Sequence, residues 1–124
     1  MSVFLSRLTP LLAALSLCAA AQASEAITKK VDGVLADHAG MTLYTFDKDL
    51  AGSGKSACNG PCAQTWPPLA GPETAGAPFS VLTREDGGKQ LAYKGKPLYR
   101  YGADQKPGDR NGDNYKQLWH VVKD

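Results

Sequence analysis

Two stretches of this chain repeat each other at a fixed distance, and that limits it to folds assembled from two like units. Gly40-Met-Thr-Leu43-Tyr44-Thr-Phe46-Asp-Lys-Asp49 aligns with Gly95-Lys-Pro-Leu98-Tyr99-Arg-Tyr101-Gly-Ala-Asp104, 55 residues further on. The match runs backward through Val34-Leu35-Ala36 and Gln90-Leu91-Ala92. It runs forward to Trp66, 17 residues after Asp49, and to Trp119, 15 residues after Asp104. Agreement at several separated positions marks a duplication. The repeats occupy about 31–69 and 82–122 of a single domain spanning 24–124.

Each unit reads as two short strands joined by a glycine turn. In Leu43-Tyr44-Thr45-Phe46 successive side chains alternate faces, so Tyr44 and Phe46 share one side, as do Tyr99 and Tyr101. A loop rich in Gly, Pro, Asn and Asp follows each acid and returns through a tryptophan into an apolar strand, seen best in Leu118-Trp119-His120-Val121-Val122. The tract 69–78 (LAGPETAGAP) reads as a linker. Helix is scarce: Ala63-Gln64-Thr65-Trp66 can make one turn before Pro67-Pro68 ends it. The expected product is mainly β, a small compact antiparallel domain of two pseudo-symmetric repeats. Lone hairpins are marginal in water, so the halves are expected to pack together.

Residues 1–23 read as a cleaved signal peptide. Arg7 precedes an apolar run from Leu8 to Ala21, and Ala21-Gln22-Ala23 supplies the small-residue exit. A membrane-spanning helix needs about 20 apolar residues; this run is shorter and interrupted by Pro10 and Ser16. Leu15-Ser16-Leu17-Cys18 approaches a lipid-attachment signal. The bulky Leu17 stands where a small residue belongs, so a soluble periplasmic or secreted product is expected rather than one anchored at Cys18. No transmembrane segment is expected in the mature form. The net charge of +2 falls to +1 when Arg7 leaves, which argues against a nucleic-acid partner. Cys58 and Cys62 then remain as an even pair in an exported chain, which reads as a disulfide. Its loop is short, so it contributes only about 2 kcal/mol and serves to pin a local turn.

The repeated Tyr-x-(Phe/Trp/Tyr)-x-x-Asp element carries a resemblance. Both copies satisfy it, together with Cys-x-x-x-Cys-Ala-x-x-Trp-Pro-Pro-Leu at 58–69, Gly95-Lys-Pro-Leu98-Tyr99, Pro107-Gly-Asp109 and Trp119-His120. The chain resembles the bacterial secreted-repeat family, whose members are labelled lipoproteins bearing this tyrosine–aspartate motif. The resemblance implies export and one fold over nearly the whole mature chain, and it implies no known activity. This sequence departs from the lipoprotein label at Leu17.

Tyr44, Phe46, Trp66, Tyr99, Tyr101 and Trp119 are expected to form the core, the alternative being a platform for a flat ligand. Asp49 and Asp104 are expected to fix turns by accepting backbone N–H groups. Asp109, Asn111 and Asp113 resemble part of a calcium loop that lacks the closing Glu. His38 with Met41 suggests a soft metal site, and His38 and His120 joining the cysteines would suggest zinc. The bland reading of each is a solvated turn, and no metal or cofactor is expected. No nucleophile–base order, phosphate loop or metalloprotease motif is present. The expectation is therefore no enzyme but an exported binding or structural module of the cell envelope, its partner an unidentified envelope component or small ligand. The alternative is a metal-binding or thiol-redox periplasmic protein.

Overall fold

The computed structural model describes residues 27–123. The expected signal segment 1–23, with its exit at Ala23 and with Cys18, lies outside the described residues. Seven strands run in the order β1 (Thr28–Val31), β2 (Val34–Asp37), β3 (Tyr44–Phe46), β4 (Phe79–Thr83), β5 (Lys89–Tyr93), β6 (Lys96–Pro97) and β7 (Trp119–Val121). All the named ladders are antiparallel: β1–β2, β3–β7 and β4–β5–β6. The fold is mainly β and carries little helix, as the repeat and its turn chemistry require.

Two hairpins turn on two residues each. Asp32-Gly33 (φ 49° and 83°) joins β1 to β2, and Lys94-Gly95 (φ 51° and 82°) joins β5 to β6. Positive φ at both positions matches the right-handed twist of the flanking strands. Gly95 is doubly constrained, because a Cβ there would stand 2.8 Å from the backbone nitrogen of Gly52.

The helix α1 (Pro61–Thr65) begins two residues before the expected Ala63, with Pro61 in its first turn, where no donor is missed. A 3-10 turn at Tyr115–Gln117, unforeseen in the sequence, leads into β7. The expected linker 69–78 is shorter than its composition suggests. Leu69 is buried and bonded on both sides, donating to Leu98 O (2.9 Å) and accepting from Leu91 N (2.9 Å).

The repeats interlock. Their axis passes through the pair Tyr44 and Tyr99, whose backbones exchange hydrogen bonds of 2.8 and 3.0 Å. Each repeat then lends its last segment to the other. The Trp119–Val121 strand pairs with β3, and Leu35 N donates to Val122 O at 2.9 Å. In mirror fashion the 65–69 segment lies along the second repeat: Gly102 N to Thr65 O (2.7 Å), Arg100 N to Pro67 O (2.8 Å) and Leu69 N to Leu98 O.

The Leu-Tyr doublets sort the core into two clusters, because adjacent residues in a strand face opposite ways. Leu43 and Leu98 enter an aliphatic cluster with Leu35, Leu69, Leu91 and Val122. Tyr44 and Tyr99 enter an aromatic cluster with Phe46, Trp66, Trp119 and Cys58. Among the described residues no helix is long and apolar enough to cross a membrane.

Candidate functional site

The eight repeat-motif residues converge on the aromatic cluster. Trp66 and Trp119 stack face to face on the pseudo-two-fold axis, with ring centroids 3.8 Å apart and planes 2° apart. Tyr101 lies against the outer face of Trp66 (4.2 Å, 23°) and Phe46 against that of Trp119 (4.1 Å, 12°). Tyr44 meets Trp66 edge-on at 5.4 Å, and Tyr99 meets Trp119 the same way at 5.1 Å. Trp66 is 3% exposed and Trp119 4%, so neither indole offers a face to a ligand. Gly112 closes over the stack: a Cβ there would stand 2.7 Å from Trp66.

The two aspartates each do two things. Asp49 Oδ1 accepts the Ala57 N–H (2.6 Å), and Asp104 Oδ1 accepts the backbone and side-chain N–H groups of Asn111 (3.0 Å each), which fixes the loop after each motif. The second oxygen crosses to the other repeat. Tyr44 Oη donates to Asp104 Oδ2 at 2.6 Å, and Tyr99 Oη donates to Asp49 Oδ2 at 2.7 Å. Each tyrosine is thus paired with the aspartate of the other motif copy.

Burial and the Asp104 carboxylate push the Tyr44 phenol well above its ordinary value of 10.0. Burial does the same to Tyr99, with Ser56 opposing and Asp49 adding to the rise. Burial raises the Asp49 carboxyl against the lowering effect of the Ala57 and Tyr99 donors. A phenol raised in the folded state contributes stability that is fully present below the unfolded value and lost as pH rises through the folded one. An alkaline titration followed by phenolate absorption will therefore lack the Tyr44 and Tyr99 share in native protein near pH 10. That share will appear on adding denaturant. Full phenolate absorption from native protein at that pH would contradict the paired geometry.

The surroundings of the two symmetry-related phenols differ. Ser56 Oγ lies 2.6 Å from Tyr99 Oη and accepts from the buried Arg84 Nη1 (3.0 Å). The same guanidinium donates to Gln90 Oε1 (2.8 Å), Cys58 O (2.8 Å) and Asn59 Oδ1 (3.1 Å). A buried guanidinium is tolerated when its donors are partnered. Here Arg84 Nε alone among the described residues' buried side-chain polar atoms lacks a hydrogen bond, although Asp86 lies 3.6 Å away. This network tethers the Cys58–Cys62 disulfide loop to β5. The sequence offered no signal for it, because Arg84-Glu85-Asp86-Gly87-Gly88 reads as a polar surface turn.

The remaining candidates stay apart. Asp109 Oδ2 accepts the Gln105 and Lys106 N–H groups (2.9 and 3.1 Å), which holds its carboxyl below the usual range. Asn111 caps Asp104, and Asp113 Oδ1 accepts the Val121 N–H (3.0 Å). His38 is exposed in a turn fixed by Asp37, whose Oδ1 accepts from Ala39 N and Met41 N at 2.9 Å. His120 Nε2 pairs with Asp47 Oδ2 at 2.8 Å. Among the described residues no group of three or more His, Cys, Asp or Glu side chains is placed to hold a metal ion. The surface does carry an apolar groove of about 310 Å³, lined by Ile27, Ala75, Pro78, Phe79 and Leu91 among others.

A family model described as a secreted repeat of unknown function matches this chain twice, over residues 26–70 and 80–123. Neither the curated proteins nor the solved structures contain a match.

Proposed function

We propose, on the premise that this chain belongs to the family of secreted repeats of unknown function, that it is a non-enzymatic module of the cell envelope that binds an envelope component or small ligand. One observation carries the reading: the motif side chains are spent on the opposite repeat. Tyr44 and Tyr99 are engaged by Asp104 and Asp49, and the two indoles cover each other. Tyr44, Tyr99, Asp49, Asp104 and both indoles are also buried, out of a substrate's reach, and the motif then serves to build the fold.

On this reading contact with a partner falls to the surface. The groove beside Phe79 and Leu91 has the volume of a small-ligand site, at the lower end of the usual range of about 300–1,000 Å³. The mature chain is periplasmic or secreted and unlipidated, which the bulky Leu17 before Cys18 supports.

Native mass spectrometry of protein purified from its host without chelator, paired with thiol titration, tests the reading. The expected species starts at residue 24, carries no lipid, holds no metal and has no free thiol. Two reactive thiols, or a stoichiometric retained metal, would instead establish a metal or thiol-redox role. Turnover of a substrate that one side-chain change abolishes would remove the non-enzymatic reading.

A further inference from the structure

Filling a core requires volume, not parallel rings, and aromatic pairs settle readily into offset or edge-to-face contacts. This core instead holds a four-ring column, Tyr101–Trp66–Trp119–Phe46, with successive centroids 4.2, 3.8 and 4.1 Å apart and planes within 23° of parallel. One end opens to solvent through Tyr115, which is 38% exposed and lies 5.7 Å from Tyr101 and 5.8 Å from Trp66. Edge-on to the column stand the two buried phenols, each already hydrogen-bonded to a carboxylate at 2.6 or 2.7 Å.

This combination has a chemical consequence. A phenol gives up an electron readily only when its proton leaves with it, and a hydrogen-bonded carboxylate is a base in position to take that proton. An indole radical cation is a strong enough oxidant to draw an electron from a phenol so placed. The two phenols are not equivalent. Tyr99 Oη touches Ser56 Oγ, which the Arg84 guanidinium holds, and that positive charge opposes withdrawal of an electron there. Tyr44 Oη accepts only the neutral Gly112 N–H (3.2 Å) beside its bond to Asp104, and it lies against Trp66 at the solvent-connected end.

We infer that the column is a one-electron relay ending at Tyr44, serving small oxygen-centred radicals met outside the cytoplasm. The radical is reduced to its anion by one electron from Trp66, reached through the Tyr115–Tyr101 end, and Trp66 is left as an indole radical cation that keeps its proton. The vacancy passes to Tyr44, which loses one electron to the column and its phenolic proton to Asp104 Oδ2. Tyr44 becomes a neutral phenoxyl radical, and the Asp104 carboxylate becomes a carboxylic acid. A one-electron reductant of the ascorbate class reverses the step by returning the electron to Tyr44 as the proton moves back from Asp104. The inference stands apart from the binding role above, because it uses the buried column and not the surface groove.

Pulse radiolysis with the azidyl radical, a one-electron oxidant of indoles, provides the test. In the wild-type protein the indolyl signal is expected to decay in a first-order process independent of protein concentration, with a phenoxyl signal rising at the same rate. Tyr44→Phe, which keeps the ring and removes only the hydroxyl, is expected to abolish that phase, and Tyr99→Phe to retain it. Asp104→Asn is expected to lose the phenoxyl product while Tyr44 remains in place, which a purely structural tyrosine would not do. Near-UV circular dichroism confirms that each variant keeps its aromatic packing. An indolyl radical in the wild type that persists until bimolecular decay overturns the relay without any variant. A phase that survives Tyr44→Phe and vanishes in Tyr99→Phe overturns its assigned end.

Discussion

Replacing either Trp66 or Trp119 by alanine is expected to leave a poorly folded, protease-sensitive protein. Truncating a buried tryptophan costs about 3–5 kcal/mol, against a total of about 5–15 kcal/mol for a domain of ordinary stability. Here the loss extends beyond one side chain. Each indole is the stacking partner of the other and also of an outer ring, Tyr101 or Phe46, so one truncation strips two faces at once. Gly112, which has no side chain because Trp66 fills that space, would be left over a void. Thermal melts of both variants beside wild type measure the effect. Normal melting of both would contradict the core placement and make the tryptophans the first place to seek a ligand.

The second large effect concerns the halves. Residues 24–79 and 80–124, prepared as separate chains, are each expected to be unfolded, and to regain β structure when mixed. Each half keeps only its local strands, β1–β2 in the first and β4–β5–β6, short of Phe79, in the second. The first loses the partner of β3, which is Trp119–Val121, and the second loses the 65–69 segment that bonds Leu98, Arg100 and Gly102. Each also loses the carboxylate that partners its motif tyrosine. What remains is little more than hairpins, which are marginal in water. Circular dichroism of each half and of the mixture decides the point, and a half that folds alone would contradict the interlocked arrangement.

Much of this architecture was legible in one dimension. The 55-residue offset exposes the two units, the alternation in Leu43–Phe46 assigns faces, and the glycines at 40 and 95 mark turns. The pairing across the axis was not legible. Tyr44 precedes Asp49 at the same spacing at which Tyr99 precedes Asp104, so the sequence is equally consistent with a bond inside each copy. Only the backbone exchange at Tyr44 and Tyr99 turns each phenol toward the other copy's loop. The strand exchange was hidden for the same reason: a repeat pattern looks the same whichever copy its last strand joins. Leu69 was concealed by the Gly/Pro/Ala tract that follows it, and Arg84 by a turn composition that usually faces water. Asp32-Gly33 is a hairpin dipeptide that lies before the repeated motif, so the repeat alignment does not pick it out.

The central claim is that the tyrosine–aspartate motif acts between repeats and not within them. A double-mutant cycle on thermal or denaturant stability tests it most directly. Tyr44→Phe combined with Asp104→Asn is expected to show a coupling of about 0.5–3 kcal/mol, as for residues in direct contact. Tyr44→Phe combined with Asp49→Asn is expected to be additive within about 0.5 kcal/mol. Coupling between Tyr44 and Asp49 with additivity between Tyr44 and Asp104 would contradict the account.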